Sequence, residues 1–338
     1  MPSRVGIPLM NSRRPSRFVR TFPGYRSLGD HKRHQALPRN LNTKGMPLRH
    51  KSVLFAFASI ITVLVLIAAY AGASVYKAYS YTTTPRQTLS SVTPADDGLQ
   101  FENVTFPSAA KDGVHLVGWW IPNPSSHRVL ILVHGRYENK STYLSLARPL
   151  WEQGYNLLLF DLRGHGQSTY VPSTYGIKEQ WDVIGAARFA QQKGFSASSI
   201  GVIGWSLGGA STLMAMGSSN DFSAAVTDSA YANSEPLLAR NPLQPGLKLA
   251  LRLFRGVDMA QVDPANSIRG LNGRSIMLIH GADDRAVPLS QERLLEQAGG
   301  ESVKETWIVP GAGHVQAYPL HPAEYLQRVT AFFNSALT

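Results

Sequence analysis

The chain of 338 residues contains no cysteine. That absence excludes a disulfide scaffold, a thiolate zinc site and a cysteine nucleophile. Charge is also scarce: Asp, Glu, Lys and Arg make up 16% of the residues, below the roughly one quarter usual in soluble proteins, so the chain as a whole is no charged disordered polymer. Neither an H-E-x-x-H motif nor a phosphate-cradling G-x-x-x-x-G-K-[ST] loop occurs, and no metal or cofactor is expected. Acid is scarcest near the N-terminus. Residues 1–51 hold 12 Lys and Arg against one acid, Asp30, whereas residues 52–338 hold 21 of each sign. The formal net charge of +11 therefore belongs to the first 51 residues. The remainder is neutral, which excludes a nucleic-acid-binding body.

The basic stretch gives way to an apolar one. From Ser52 to Tyr76 run 25 residues without a charge, and at about 1.5 Å per residue a helix of that length covers the roughly 30 Å of bilayer hydrocarbon. A buried core helix is rarely apolar on every face over such a length. A transmembrane helix is therefore expected over residues 52–76, with the lipid bilayer as its partner. Lys32, Arg33, Arg39, Lys44, Arg49 and Lys51 precede it closely, and only Lys77 and Arg86 follow it closely. Cytoplasmic flanks retain Lys and Arg, so the expected product is a single-pass cell-membrane protein with a cytoplasmic N-terminus and an extracytoplasmic body. Residues 1–51 read as a basic, disordered tail able to lie on anionic lipid, and residues 77–98 as a polar linker. Two alternatives attach to this region. Ala71-Gly72-Ala73 resembles a signal-peptidase site, although the apolar core exceeds the roughly 7–15 residues of a cleaved signal. Met46 opens a compact basic-then-apolar segment of its own. The pair Arg13-Arg14 lies too far upstream to act as a twin-arginine signal for this core.

Beyond about Leu99 short apolar runs alternate with longer helical ones. Strands are expected at Val114–Ile121, Val129–Val133, Asn156–Phe160, Ile200–Gly204, Ala224–Thr227, Ser275–Ile279 and Val303–Val309. Helices are expected over Thr142–Gln153, Lys178–Lys193, Gly208–Met216, Gln291–Gln297 and Pro322–Ala336. Such alternation predicts an α/β domain over residues 99–338, with a mostly parallel sheet and helices on both faces. Residues 231–270 interrupt the pattern with four prolines around one helical patch, Gly246–Arg255. There Leu247, Ala250, Leu251 and Phe254 mark an apolar face, and Lys248, Arg252 and Arg255 a basic one. The patch reads either as a surface helix packed on the sheet or as a small lid over a pocket, close enough to the anchor to touch lipid.

Chemistry concentrates at Gly204-Trp205-Ser206-Leu207-Gly208, which follows a strand and opens a helix. This is the setting of a G-x-S-x-G nucleophile elbow, whose glycines permit a turn too tight for side chains. A serine hydroxyl needs a base, itself oriented by a carboxylate. Of the histidines beyond the serine, His314 lies in the glycine-rich loop Pro310-Gly311-Ala312-Gly313-His314 after a strand, whereas His321 enters the last helix between Leu320 and Pro322. His314 is the expected base. The acid is Asp283 or Asp284, both in the loop that follows His280. The oxyanion hole requires two backbone N–H groups, expected from Leu207 and from Arg136, which follows His134-Gly135 at the end of a strand.

These motifs, with Phe160-Asp161-Leu162-Arg163-Gly164-His165-Gly166-Gln167-Ser168, resemble the α/β-hydrolase superfamily over about residues 100–336. The pattern is most similar to the serine aminopeptidase and monoacylglycerol-lipase-like group. The resemblance implies an acid four residues after the histidine of His280-Gly281, which selects Asp284, and a structural loop over Asp161–Ser168 bordering the site. Arg136-Tyr137 depart from the small or amide residues usual there, so pocket polarity differs from the group's pattern. The expected activity is that of a membrane-anchored serine hydrolase cleaving small or lipid-derived carboxylic esters through Ser206, His314 and Asp284. A peptidase acting on peptides is the alternative within the class, and a non-catalytic binding protein on the same fold the alternative outside it.

Overall fold

The computed structural model describes residues 48–85, 91–239 and 241–338. The expected basic tail therefore lies outside the described residues up to position 47, as does part of the expected linker. The chain divides into two units, residues 1–57 and 58–338. Of the first unit, the described part is the start of a long helix, α1, Leu48–Thr82. Among the described residues it is the one helix long and apolar enough to cross a membrane. It continues six residues past Tyr76 into the stretch expected as linker. No proline occurs between Pro47 and Pro85, and Pro85 disfavours helical backbone at the residue before it.

In the second unit eight strands form one sheet in the order β1-β2-β4-β3-β5-β6-β7-β8. The strands are β1 Glu102–Pro107, β2 His115–Ile121, β3 Val129–Val133, β4 Asn156–Phe160, β5 Ile200–Trp205, β6 Ala224–Asp228, β7 Ser275–Gly281 and β8 Val303–Val309. Only the β1–β2 and β2–β4 pairings are antiparallel. The others are parallel, as alternation with helices requires. Helices α2 Leu144–Glu152, α3 Glu179–Gln192, α4 Leu207–Ser218, α5 Glu235–Leu238, α6 Gln244–Arg255, α7 Pro264–Ser267, α8 Leu289–Gly299, α9 Ala317–Leu320 and α10 Pro322–Ala336 connect or flank these strands. This is the α/β-hydrolase architecture expected from the motifs.

Alternate strand residues feed two cores. Ile131, Leu158 and Val202 face Val183 of α3 and Leu213 of α4 in one of them. Leu130, Leu157 and Ile203 face Leu146 of α2 and Phe333 of α10 in the other. The central strands β3, β4 and β5 are thus apolar on both faces and read as near-continuous apolar runs. Strand β1 was not expected. It is an edge strand in which only Phe106 is buried, so its sequence lacks the apolar run that marks the others.

The 231–270 insertion carries α5, α6 and α7. Leu247, Ala250 and Leu251 of α6 are buried as expected, but Phe254, assigned to the same face, is 55% exposed. Arg255, assigned to the basic face, takes that end of the contact instead. Its Nε donates to Thr82 Oγ1 at 2.6 Å, and its guanidinium lies 4.4 Å from the Tyr79 ring centre. The partner of α6 is therefore the end of α1, where Ser74, Ala78 and Thr82, one helical turn apart, form a buried stripe.

Candidate active site

The order of strands reverses between β3 and β5, so the loops leaving their carboxyl ends diverge and open a crevice. Ser206 stands alone between the end of β5 and the start of α4, at φ +50° and ψ −113°, a conformation costly for a residue with a side chain. Its backbone N–H donates to the carbonyl of Asp228 at 2.9 Å, which helps hold the turn. The flanking glycines are sterically required. A Cβ on Gly204 would sit 2.6 Å from the Gly208 carbonyl oxygen, and one on Gly208 would collide with the Val133 carbonyl of β3.

His314 follows β8 and reaches Ser206 across the crevice. Its Nε2 lies 2.9 Å from Ser206 Oγ and its Nδ1 2.7 Å from Asp284 Oδ2. With Nδ1–H donated to the carboxylate, Nε2 is the nitrogen that accepts from the serine hydroxyl. The other oxygen of Asp284 accepts the N–H groups of Ala286 at 2.8 Å and Val287 at 2.9 Å. Burial alone would raise the Asp284 pKa, but the hydrogen bonds from His314 and Val287 and the charges nearby hold it below the ordinary carboxylate range. Asp283, its neighbour, is exposed, and His321 packs near the Trp307 ring, away from Ser206. The fold therefore brings together Ser206, His314 and Asp284, and leaves out Asp283 and His321.

The two expected oxyanion donors border the same crevice. Leu207 is the first residue of α4, where an N–H has no acceptor within the helix. The Arg136 N–H donates to no group among the described residues, while that of Gly135 is taken by Glu138 Oε2 at 2.7 Å. A cleft of about 350 Å³ opens over these groups, with Glu138, Thr142, Trp205 and Tyr318 in its walls. Among the described residues, none from 231–270 lines it. The insertion thus makes no lid over this cleft; it stands beside α1.

The Arg136 side chain is held by the end of α1. Its guanidinium donates to the Tyr81 carbonyl in the last turn of α1 and lies 5.0 Å from the Tyr175 ring centre. The Tyr175 hydroxyl donates to the same carbonyl at 2.7 Å. A cation at a helix C-terminus is favourable for both the dipole and the orphan carbonyls. The loop expected to supply an oxyanion donor is therefore fastened to the end of the long helix.

Two further layers support these groups. His280, buried at the end of β7, lies with Nδ1 3.3 Å from Glu292 Oε2, Nε2 2.9 Å from the Val287 carbonyl and Nε2 3.6 Å from Asp284 Oδ2. Burial would lower its pKa, yet the Glu292 carboxylate beside it carries it above the ordinary imidazole range. The second layer is Asp161, which accepts from Lys140 N and Nζ, both at 2.7 Å, while Leu162 N donates to His134 Nε2 at 3.0 Å. The Asp161–Ser168 loop is thus tied to the His134–Gly135 turn. The spacing of His280 and Asp284 is visible in the sequence, but nothing local marks Glu292 or Lys140.

A model of the prolyl oligopeptidase family matches residues 142–338. The chain belongs to that family. Within the prolyl oligopeptidase family and the larger α/β-hydrolase superfamily it is a hydrolase, and the matched segment carries all three of the clustered side chains. Among relatives, YfhR of Escherichia coli strain K12, an uncharacterized protein, is 28% identical over 251 residues, which cover 71% of this chain and 83% of YfhR. The uncharacterized protein YqkD of Bacillus subtilis is 26% identical over 249 residues, 70% of this chain and 81% of YqkD. Among solved structures, an esterase of Pyrococcus furiosus superposes with a TM-score of 0.64 at 24% identity, over 76% of this chain and all of the esterase chain.

Proposed function

We propose that the chain is a membrane-anchored serine hydrolase that cleaves carboxylic esters through an acyl-enzyme. The observation that carries this reading is the unbroken line from Ser206 Oγ to His314 Nε2 at 2.9 Å and from His314 Nδ1 to Asp284 Oδ2 at 2.7 Å. His314 takes the hydroxyl proton as Ser206 Oγ attacks the ester carbonyl carbon. The carbonyl electrons pass to oxygen, which the N–H groups of Leu207 and Arg136 stabilise. The tetrahedral intermediate collapses, the C–O bond to the alcohol breaks, and His314 delivers its proton to the leaving oxygen. Water, deprotonated by the same histidine, then releases the acid from Ser206. The likeness to the P. furiosus esterase supports an ester substrate, and α1 supports anchoring by its length and composition. The body then works outside the cytoplasm, beside the membrane.

A peptidase reading has one observation in its favour: the Glu138 carboxylate shares the cleft with Ser206 and offers an anion to a substrate amino terminus. One of its oxygens is already committed to the Gly135 N–H, so the ester reading is preferred. Full-length protein in detergent, offered short p-nitrophenyl esters and aminoacyl p-nitroanilides, tests both. Ester turnover and fluorophosphonate labelling are expected, each lost in Ser206→Ala. Anilide turnover exceeding ester turnover reverses the preference, and absence of both activities with no labelling removes the hydrolase mechanism.

A further inference from the structure

Helix α6 runs beside the last three turns of α1. Near its start the Gly246 N–H donates to the Tyr70 hydroxyl at 3.1 Å, and a Cβ on Gly246 would lie 2.7 Å from the Tyr70 ring. At its end Arg255 meets Tyr79 and Thr82. Nine residues of α6 therefore keep pace with about nine of α1, roughly 13 Å, in the same direction. Any plane that α1 crosses near Tyr70 also meets the start of α6.

The outward face of α6 is unusual for a surface exposed to water. Leu249, Leu253 and Phe254 are 58%, 66% and 55% exposed, and they are flanked by the exposed cations Lys248 and Arg252. Among the described residues Asp258 is the carboxylate paired with these cations, 3.9 Å from Arg252. Apolar side chains bordered by long basic ones suit the boundary of acyl chains and headgroups, where Lys and Arg stems reach back to the lipid phosphates. Tyr70, Tyr76, Tyr79 and Tyr81 gather at the same end of α1, as aromatic residues do at membrane interfaces.

We infer that α6 is a second membrane-contacting element, with Leu249, Leu253 and Phe254 seated in the outer lipid interface beside the anchor. The inference rests on the anchoring proposed above and deepens it. The catalytic body is then fixed against the bilayer at two places, and cannot swing on a free tether. Because α6 starts beside Tyr70 and ends beside Thr82, contact is deepest at Leu249 and shallower towards Phe254.

The absence of cysteine permits a direct test. Single-cysteine variants L249C, L253C and F254C of the full chain are labelled with an environment-sensitive fluorophore and reconstituted in vesicles of phosphatidylcholine with a minority of phosphatidylglycerol. V63C in the span serves as the anchor control, and A331C on α10, on the opposite side of the sheet, as the aqueous control. Thermal melts matching the unsubstituted protein establish that each variant is folded. The expected result is a blue-shifted emission and quenching by spin-labelled lipid at all three α6 positions, strongest at Leu249, with neither at Ala331. If V63C responds while the three α6 positions behave like A331C, the inference is overturned and the anchor stands. If V63C does not respond, the anchoring reading falls and takes the inference with it.

Discussion

Asp284 and Asp228 are two buried carboxylates near the crevice, and their surroundings set them apart. Asp284 accepts from His314 and from two backbone N–H groups, so it stays ionised and orients the imidazole. Asp284→Asn keeps the shape but favours the wrong tautomer of His314, and kcat/KM for p-nitrophenyl esters is expected to fall by about 10⁴ with the melting temperature little changed. Asp228 is fully buried; among the described residues its carboxylate accepts only from the Ser229 hydroxyl at 2.9 Å, and its second oxygen has no partner there. Burial pushes its pKa from 3.8 up to about 7. A raised carboxylate pKa means that the folded state holds a proton which the unfolded chain has released. Stability from this group is thus complete below about pH 4, declines as pH rises, and is lost once pH passes about 7. Asp228→Asn cannot ionise. Its melting temperature relative to the parent is expected to rise steadily from pH 4 to 7 and then level off, which melts across that range in detergent would show. A difference independent of pH would mean that Asp228 is ionised throughout.

At the scale of elements, the last turns of α1 belong to the hydrolase body. Ser74, Ala78 and Thr82 are buried, and the Tyr81 carbonyl holds the guanidinium of Arg136, whose own N–H borders the crevice. A chain beginning at Ser74, such as cleavage after Ala73 would leave, keeps these contacts. A chain beginning at Val92 loses them, uncovers α6 and leaves the Arg136 guanidinium without its acceptor. The shorter chain is expected to melt lower, and to lose kcat by about tenfold to a hundredfold with KM little altered, because the Arg136 N–H, the proposed oxyanion donor, would act in the transition state. Steady-state kinetics of the two chains side by side test this; equal kcat values would show that Arg136 holds its place without α1. None of this coupling is legible in the sequence. Arg136 and Tyr81 lie 55 residues apart, and a side chain bonding a carbonyl follows no residue code. The central parallel strands, by contrast, are legible because burial on both faces makes them near-continuous apolar runs, and β1 escapes notice because it has no such run. The elbow is legible because its steric demands act between residues close in sequence. Glu292, which meets His280 from a neighbouring helix, carries no comparable local signature.

For the whole molecule, the uneven charge becomes a statement about direction. The neutral body leaves the basic flank before α1 as the main electrostatic asymmetry across the proposed span, six Lys and Arg within residues 32–51 against two within 77–96. Translocation acts against Lys and Arg within about 15–20 residues of a span, so under the proposed anchoring that flank is expected to stay inside and the crevice to face out. The same orientation would bring α6 to lipid from the outer side, since it packs on the last turns of α1, from Tyr70 to Thr82. Because the natural chain has no thiol, A331C gives a clean readout in intact cells. A membrane-impermeant maleimide is expected to label it without permeabilisation. Exchanging Lys32, Arg33, Arg39, Lys44, Arg49 and Lys51 for Gln, and placing lysines within residues 83–96, removes the asymmetry and should make labelling of A331C depend on permeabilisation. Labelling of the unexchanged chain only after permeabilisation would put the crevice on the cytoplasmic side, with α6 against the inner leaflet.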